Sequence, residues 1–312
     1  MRKAVYILIL LFVFTGVTAQ QTPQYTQNRL NYFSINPAMA GIKKCIDLKM
    51  GYRRQWVGFD GAPRTTFATV STRLKIKKKV SPYSHHGVGV KVESDALGLT
   101  SNTKLHLAYA YHFKLGRESS ASAGLFAGIE QFRFNVSRAN AWQAPDPAIA
   151  TNATVIIWPD VSPGIFVHNK KWFGGFSIRQ LLGNRIRDYG TGTNQLRRHF
   201  ELLGGAKIES SESVSIIPSA MFRFTFLSMP SIDLNLMFDF ENRAQLGLSY
   251  RNTDALAMMF KVNFLKHFTL GYSFDLTTSK MKLGSSNTHE ILLGIYACNL
   301  RGGDNYSCPV FD

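Results

Sequence analysis

Leu105-His106-Leu107-Ala108-Tyr109-Ala110-Tyr111-His112-Phe113 sets a large apolar side chain at every second position. Ile232-Asp233-Leu234-Asn235-Leu236-Met237-Phe238-Asp239-Phe240 repeats the pattern, as does Phe268-Thr269-Leu270-Gly271-Tyr272-Ser273-Phe274-Asp275-Leu276. Residues 256–264 keep apolar groups at each even number, and Ile46, Leu48, Met50 and Tyr52 alternate with Asp47 and Lys49 ahead of Arg53. Side chains along a strand point to opposite faces in turn, so this period of two predicts strands with one apolar and one polar face. Turn signals separate further candidates at 64–74, 87–93, 121–134, 161–169, 171–182, 199–209, 213–226, 243–251 and 288–298. No helical period competes. The chain is expected to be all-β, with about fourteen antiparallel strands.

Alternation alone does not separate a soluble, secreted sandwich from a transmembrane barrel, whose apolar face meets lipid and whose polar face lines the lumen. Three features favour the barrel. The strong segments match the roughly nine to eleven residues that a tilted strand needs to cross a bilayer, whereas soluble strands average about five or six. Tyr and Phe crowd the segment ends (Tyr109, Tyr111, Phe113, Phe238, Phe240, Phe264), as interfacial girdles require. Closure also removes the exposed edges that so many amphipathic strands would otherwise leave. The expected fold is a transmembrane outer-membrane β-barrel.

Composition narrows the class. Of 312 residues, 45% are hydrophobic and 12% aromatic, which excludes a disordered chain. Lys and Arg number 36 against 20 Asp and Glu, but the basic residues are scattered singly among aromatics. That distribution argues against a nucleic-acid partner. Arg2 and Lys3, an apolar run from Ala4 to Val17 and the small-residue site Val17-Thr18-Ala19 describe a secretory signal peptide. The expected organisation is a signal peptide at 1–19, a periplasmic N-terminal segment at 20–44, a barrel at 45–298 and a tail at 299–312. The segment before the first strand is long enough to enter the lumen, and we expect it to plug or line it. Strand parity sets the long irregular stretch Asn135–Asp160 outside the cell and the basic run Lys75, Lys77, Lys78 and Lys79 on the periplasmic side.

Lys49, Arg53, Lys104, Arg133 and Lys261 fall on polar faces and predict a positive lumen. No Ser/His or paired-acid constellation suggests an enzyme, and no cofactor or metal is implied. His106 and His112 share a face but stand about 20 Å apart along a strand, too far for one ion, so they are expected to line the lumen. His85 and His86 are expected in a loop. Cys45, Cys298 and Cys308 reach an oxidising compartment. Cys45 opens the first strand and Cys298 closes the last, so Cys45 could pair with Cys298 or Cys308. Alternatively Cys298 and Cys308 close the tail, or all three remain thiols.

Ile35-Asn36-Pro37-Ala38-Met39-Ala40-Gly41 and Tyr52-Arg53-Arg54-Gln55-Trp56-Val57-Gly58-Phe59-Asp60-Gly61-Ala62-Pro63 resemble the PorP/SprF family of type IX secretion and gliding-motility outer-membrane proteins. The resemblance continues through Asp146-Pro147-Ala148, Pro159-Asp160, Arg198-His199-Phe200, Gly247 to Arg251, Gly271 to Asp275 and His289-Glu290-Ile291, covering about 21–297. Met39 replaces the usual aromatic, the stretch Gly284–Glu290 is interrupted, and a Cys-bearing tail follows. The resemblance implies a non-enzymatic barrel in the outer membrane of a Gram-negative bacterium. It would support export or attachment of a large, adhesin-like surface protein with a C-terminal sorting domain, and contact periplasmic machine components and outer-membrane lipid. Candidate partner-binding or family-motif residues are Asn36, Pro37, Gly41, Arg54, Gln55, Trp56, Gly58, Gly61, Pro63, His289 and Glu290. Locally, Asn-Pro starts a turn and Gly58, Gly61 and Pro63 shape the turn after the first strand; these residues serve either barrel architecture or a partner surface. Trp56 suits an interface anchor or a membrane girdle equally. The alternative function is a diffusive or ligand-gated transporter for small solutes.

Overall fold

A computed structural model describes residues 22–74, 84–135, 154–187, 193–226, 228–252, 254–265, 267–284 and 286–297. In chain order the strands are β1 (Ile46–Arg54), β2 (Arg64–Leu74), β3 (His85–Leu97), β4 (Thr100–Lys114), β5 (Ser120–Phe134), β6 (Thr154–His168), β7 (Trp172–Arg179), β8 (Arg185–Arg187), β9 (Thr193–Gln195), β10 (His199–Ala206), β11 (Ile208–Glu209), β12 (Val214–Phe224), β13 (Ser231–Phe240), β14 (Ala244–Arg251), β15 (Ala255–Phe264), β16 (Phe268–Thr277) and β17 (Thr288–Ala297). Fourteen of them form a closed antiparallel barrel. β8 and β9 make a separate hairpin, and β11 is a two-residue strip on β12. The ring closes where β1 meets β17, from Ile46 opposite Ala297 to Arg54 opposite His289.

The period of two becomes an inverted partition. On β4, Leu105, Leu107 and Tyr109 face out, while Lys104, His106, Ala108 and Ala110 are buried inside. On β15, Leu256, Met258 and Phe260 face out against buried Ala257, Met259 and Lys261. Leu107 is 63% and Met258 67% exposed, an arrangement that only a lipid exterior makes favourable. The sandwich is excluded by this geometry. No helix among the described residues is long and apolar enough to cross a membrane; strands do the crossing.

The two rims differ. Tight connections at 115–119, 169–171, 241–243 and 265–267 share one rim with the start of β1 and the end of β17. Longer connections at 55–63, 135–153, 180–198 and 278–287 share the other with the short ones at 98–99 and 252–254, while the ten-residue connection 75–84 falls on the first rim. Barrels of this type keep short turns in the periplasm and longer loops outside.

Several expectations change. The stretch 135–160 is not irregular throughout, because β6 begins at Thr154 and contains Pro159 and Pro163. His85 and His86 are not in a loop: they open β3, where the His85 ring stacks on His112 at 4.2 Å and His86 Nδ1 lies 2.6 Å from the Tyr109 hydroxyl. Arg133 points outward and is exposed. The lumen is not strongly positive, since ten buried Lys and Arg face nine buried carboxylates among the described residues. The segment 20–44, expected as periplasmic, is buried inside the barrel from Tyr25 to Gly41. The expected signal peptide, Lys75 to Lys79, Asp146-Pro147-Ala148, Cys298, Cys308 and the tail lie outside the described residues.

Candidate functional site: a latched plug and a tied rim

The N-terminal segment has too few residues for a domain of its own and buries itself by borrowing the barrel's inner face. A 3-10 helix spans Asn28–Ser34 and a second spans Pro37–Met39. Tyr32, Phe33, Ile35, Ala38, Met39 and Ala40 join Ala108, Ala110, Phe126, Phe166, Phe173, Leu203 and Met221 in the largest apolar cluster. The segment starts beside the long-loop ends of the strands and leaves at the other rim, where Lys43 Nζ pairs with Asp47 at 3.1 Å.

Its upper end is held by charge. Arg53 Nη1 lies 3.0 Å from Glu290 Oε2 and its Nη2 lies 2.9 Å from Asp275 Oδ2, all three side chains shielded from solvent. Glu290 also accepts from the backbone N–H of Thr26 (2.8 Å) and Gln27 (3.2 Å). The Thr26 hydroxyl donates to Asp275 (2.6 Å), and the Tyr25 hydroxyl donates to Glu93 (2.6 Å). From there a belt of alternating charges runs round the lumen: Arg251, Asp233, Arg223, Glu201 and Arg179 on one side, Glu93, Lys104 and Glu130 on the other. Buried ions are tolerated only when paired in this way.

The lower end is held by shape. Asn36 caps the second 3-10 helix, its Oδ1 accepting from Ala38 N–H at 3.0 Å, with Pro37 at the first helical position. Its amide donates outward to the carbonyls of Ile165 (2.9 Å) on β6 and Phe176 (3.4 Å) on β7. Side chains on the wall would block this approach, and the wall has none there. A Cβ on Gly124 would stand 2.6 Å from Ala38 N, one on Gly175 2.9 Å from Asn36 Nδ2, and one on Gly164 would overlap Asn36 Oδ1. Gly41 has φ +67, and a Cβ there would lie 2.5 Å from Gly87 Cα. Ser122 Oγ donates to Ala38 O (2.8 Å), Lys91 Nζ to Ser34 O (2.7 Å), and His112 Nε2 lies 2.7 Å from Ala40 O.

The second motif builds the long-loop rim. Gln55 N–H donates to Pro63 O (3.0 Å), closing the loop, while Gly58 and Gly61 take φ +96 and +73 within it. Trp56 adopts φ 49, a left-handed conformation that costs an L-residue roughly 1–2 kcal/mol. Ties to other loops offset that cost: the indole N–H donates to Asp254 Oδ1 (3.3 Å) and the Trp56 N–H to Thr288 Oγ1 (3.1 Å). Gln55 Nε2 reaches the other Asp254 oxygen (3.4 Å), and Val57 N–H reaches Asn287 O (3.0 Å). Arg54 and Phe59 remain exposed.

Among the expected site residues, Asn36, Pro37 and Gly41 thus gather at the lower seat, Glu290 at the upper latch, and Gln55, Trp56, Gly58, Gly61 and Pro63 at the rim. His289 points outward, its Nδ1 2.8 Å from the Tyr272 hydroxyl. His106 and His112 face the plug, His106 paired with Asp160 at 2.9 Å. Cys45 is disulfide-bonded. Sequence reasoning missed Tyr25, Thr26, Asp233, Asp275 and Arg251 as site residues, although Arg251 and Asp275 sit in stretches that carry the family resemblance.

A plugged fourteen-stranded barrel with a lipid-facing exterior is an outer-membrane protein of a Gram-negative bacterium. The family described as type IX secretion system membrane protein PorP/SprF matches residues 17–295, and the chain belongs to it. Among solved structures, the Ralstonia pickettii toluene transporter TbuX is similar at 8% identity and TM-score 0.52, covering 90% of this chain and 96% of that one. A TodX deltaS2S3 mutant monoaromatic hydrocarbon channel is similar at 8% identity and TM-score 0.51, covering 91% and 97%. These likenesses concern the fold. No match was found among curated proteins.

Proposed function

We propose that this barrel serves type IX secretion as a closed docking platform and performs no chemistry of its own. Its long-loop rim would hold a large, adhesin-like exported protein through that protein's C-terminal sorting domain, and its short-turn rim would meet periplasmic components of the secretion machine. The observation that carries this reading is the plug: an unbroken buried run from Tyr25 to Gly41, latched by Glu290 above and seated on glycines below. A conduit for solutes would need that run to leave. A platform can keep it, bonded to Glu290 and Asp275 on the strands that carry the rim.

Tagged protein recovered from outer membranes in mild detergent, with mass spectrometry of its companions, tests the proposal. Co-recovery of a secreted surface protein or periplasmic machine components is expected. A partner-free barrel that conducts ions at rest in a planar bilayer would instead establish solute transport.

A further inference from the structure

β6 has a neighbour along its whole length on one side and along less than half on the other. It pairs with β5 from Thr154 to His168, but with β7 only from Gly164 to His168. Its odd-numbered residues turn their backbone groups toward the β7 side. Val161 O accepts from Leu181 N–H (3.0 Å) and Pro159 O from Asn184 Nδ2 (2.7 Å) there. Pro163 comes next after the pair Ile165 and Phe176 and has no N–H, so the ladder stops. Beyond Arg179, Gln180 at φ 55 breaks the regular strand, and among the described residues only the single bonds from Leu181 and Asn184 continue along the β6 backbone.

Val155 and Ile157 continue the odd series, and no described residue bonds their backbone on that side. Their side chains face outward, 45% and 58% exposed. Arg133 and Gln131 stand opposite them on β5, with Ser101 and Thr103 level on β4. Polar outward residues at this height place the pair above the lipid band, in water. Natural proteins shield edges of this kind, as Pro159 and Pro163 do lower on the same strand. The surroundings are basic: Arg133, Arg185, Arg197 and Arg198 are exposed, and Arg198 Nε holds Leu181 O at 2.8 Å beside the edge.

We propose that the edge of β6 at Val155–Ile157, which no described residue covers, receives, by strand addition, an extended acidic segment of a protein outside the cell. This deepens the docking reading and rests on it. Backbone pairing to Val155 and Ile157 supplies the affinity, and the flanking arginines select acidic side chains.

Hydrogen exchange on the detergent-solubilised full-length barrel is the first test. The amides of Val155 and Ile157 should exchange at least about tenfold faster than those of Ile156 and Trp158, which pair with β5. Equal protection would show the edge already covered and overturn the proposal. Val155→Pro and Ile157→Pro remove only the N–H groups on the free side, as Pro159 and Pro163 do already. These variants should assemble with unchanged heat-modifiable migration, yet recover about tenfold less of the companion protein that the parent recovers. Arg133→Glu with Arg185→Glu should also lower recovery. Undiminished recovery by the assembled proline variants overturns strand addition while leaving the docking platform standing. A parent that recovers no companion overturns both.

Discussion

Arg53 on β1 and Glu290 on β17 stand directly opposite each other across the seam that closes the barrel, 3.0 Å apart and out of reach of solvent. Glu290 spends its remaining acceptor capacity on the N–H groups of Thr26 and Gln27. The pair that joins the first and last strands is therefore also the pair that holds the plug. Barrel closure and lumen closure depend on the same charges.

Removing one partner of a buried pair strands the other. Arg53→Ala leaves Glu290 and Asp275 without their cation and should cost about 3–5 kcal/mol of stability. Urea unfolding of the refolded barrel in detergent would show it. Arg53→Lys keeps the charge but cannot fork to two carboxylates, so it should fall between the alanine variant and the parent. Equal midpoints for all three would mean the network contributes nothing.

The seat under Asn36 depends on absent side chains. Gly124→Ala would set a methyl 2.6 Å from Ala38 N and the Pro37 carbonyl carbon, both backbone atoms that cannot swing aside. The amide of Ala38 should then exchange faster than in the parent. Gly174→Ala is the matched control, because its new methyl meets nothing nearer than Leu203 O at 3.8 Å. Identical exchange in both variants would show that the plug does not rest on this cradle.

The alternation that exposed β4, β13 and β16 works because each has one apolar face through the lipid band. It misleads where that condition ends. On β5, Phe132 and Phe134 turn inward and Arg133 outward, since above the band polarity is reversed, so Arg133 was expected in the lumen. Pro159 read as loop, yet it sits, like Pro163 in the expected strand 161–169, where β6 needs no N–H. The turn chemistry of Asn36, Pro37 and Gly41 is legible locally. Its cradle of Gly87, Gly124, Gly164 and Gly175 comes from four distant strands, and no local rule joins them. Glu290 stood in a recognisable stretch, but its ligand is the backbone of Thr26 and Gln27, and a backbone leaves no mark in a sequence.

Cys45 immediately precedes Ile46, which faces Ala297 across the β1–β17 ladder, and Cys298 immediately follows Ala297. The Cys45 disulfide is therefore expected to be made with Cys298, stapling the seam at the short-turn rim, with Cys308 left as the thiol. Non-reducing peptide mapping should recover a Cys45–Cys298 peptide. A Cys45–Cys308 peptide would show that the tail folds back over the seam instead.

The plug gives the sharpest separation between platform and pore. The full-length barrel in a planar bilayer should be electrically silent, because Tyr25 to Gly41 run buried through the lumen and are bonded to the wall at both ends. Deleting 22–41 should leave a ring whose inner wall is lined with charged groups opened to water, and a steady conductance should appear. Heat-modifiable migration of the deletion variant confirms that the ring has formed. Should the deletion fail to assemble, Glu290→Gln offers the gentler route: it weakens the hold on Thr26 and Gln27 without emptying the lumen, and brief openings are expected in place of a steady current. A parent barrel that conducts steadily from the start would show that the segment leaves the lumen unaided, and the latch at Glu290 would then be only an architectural contact.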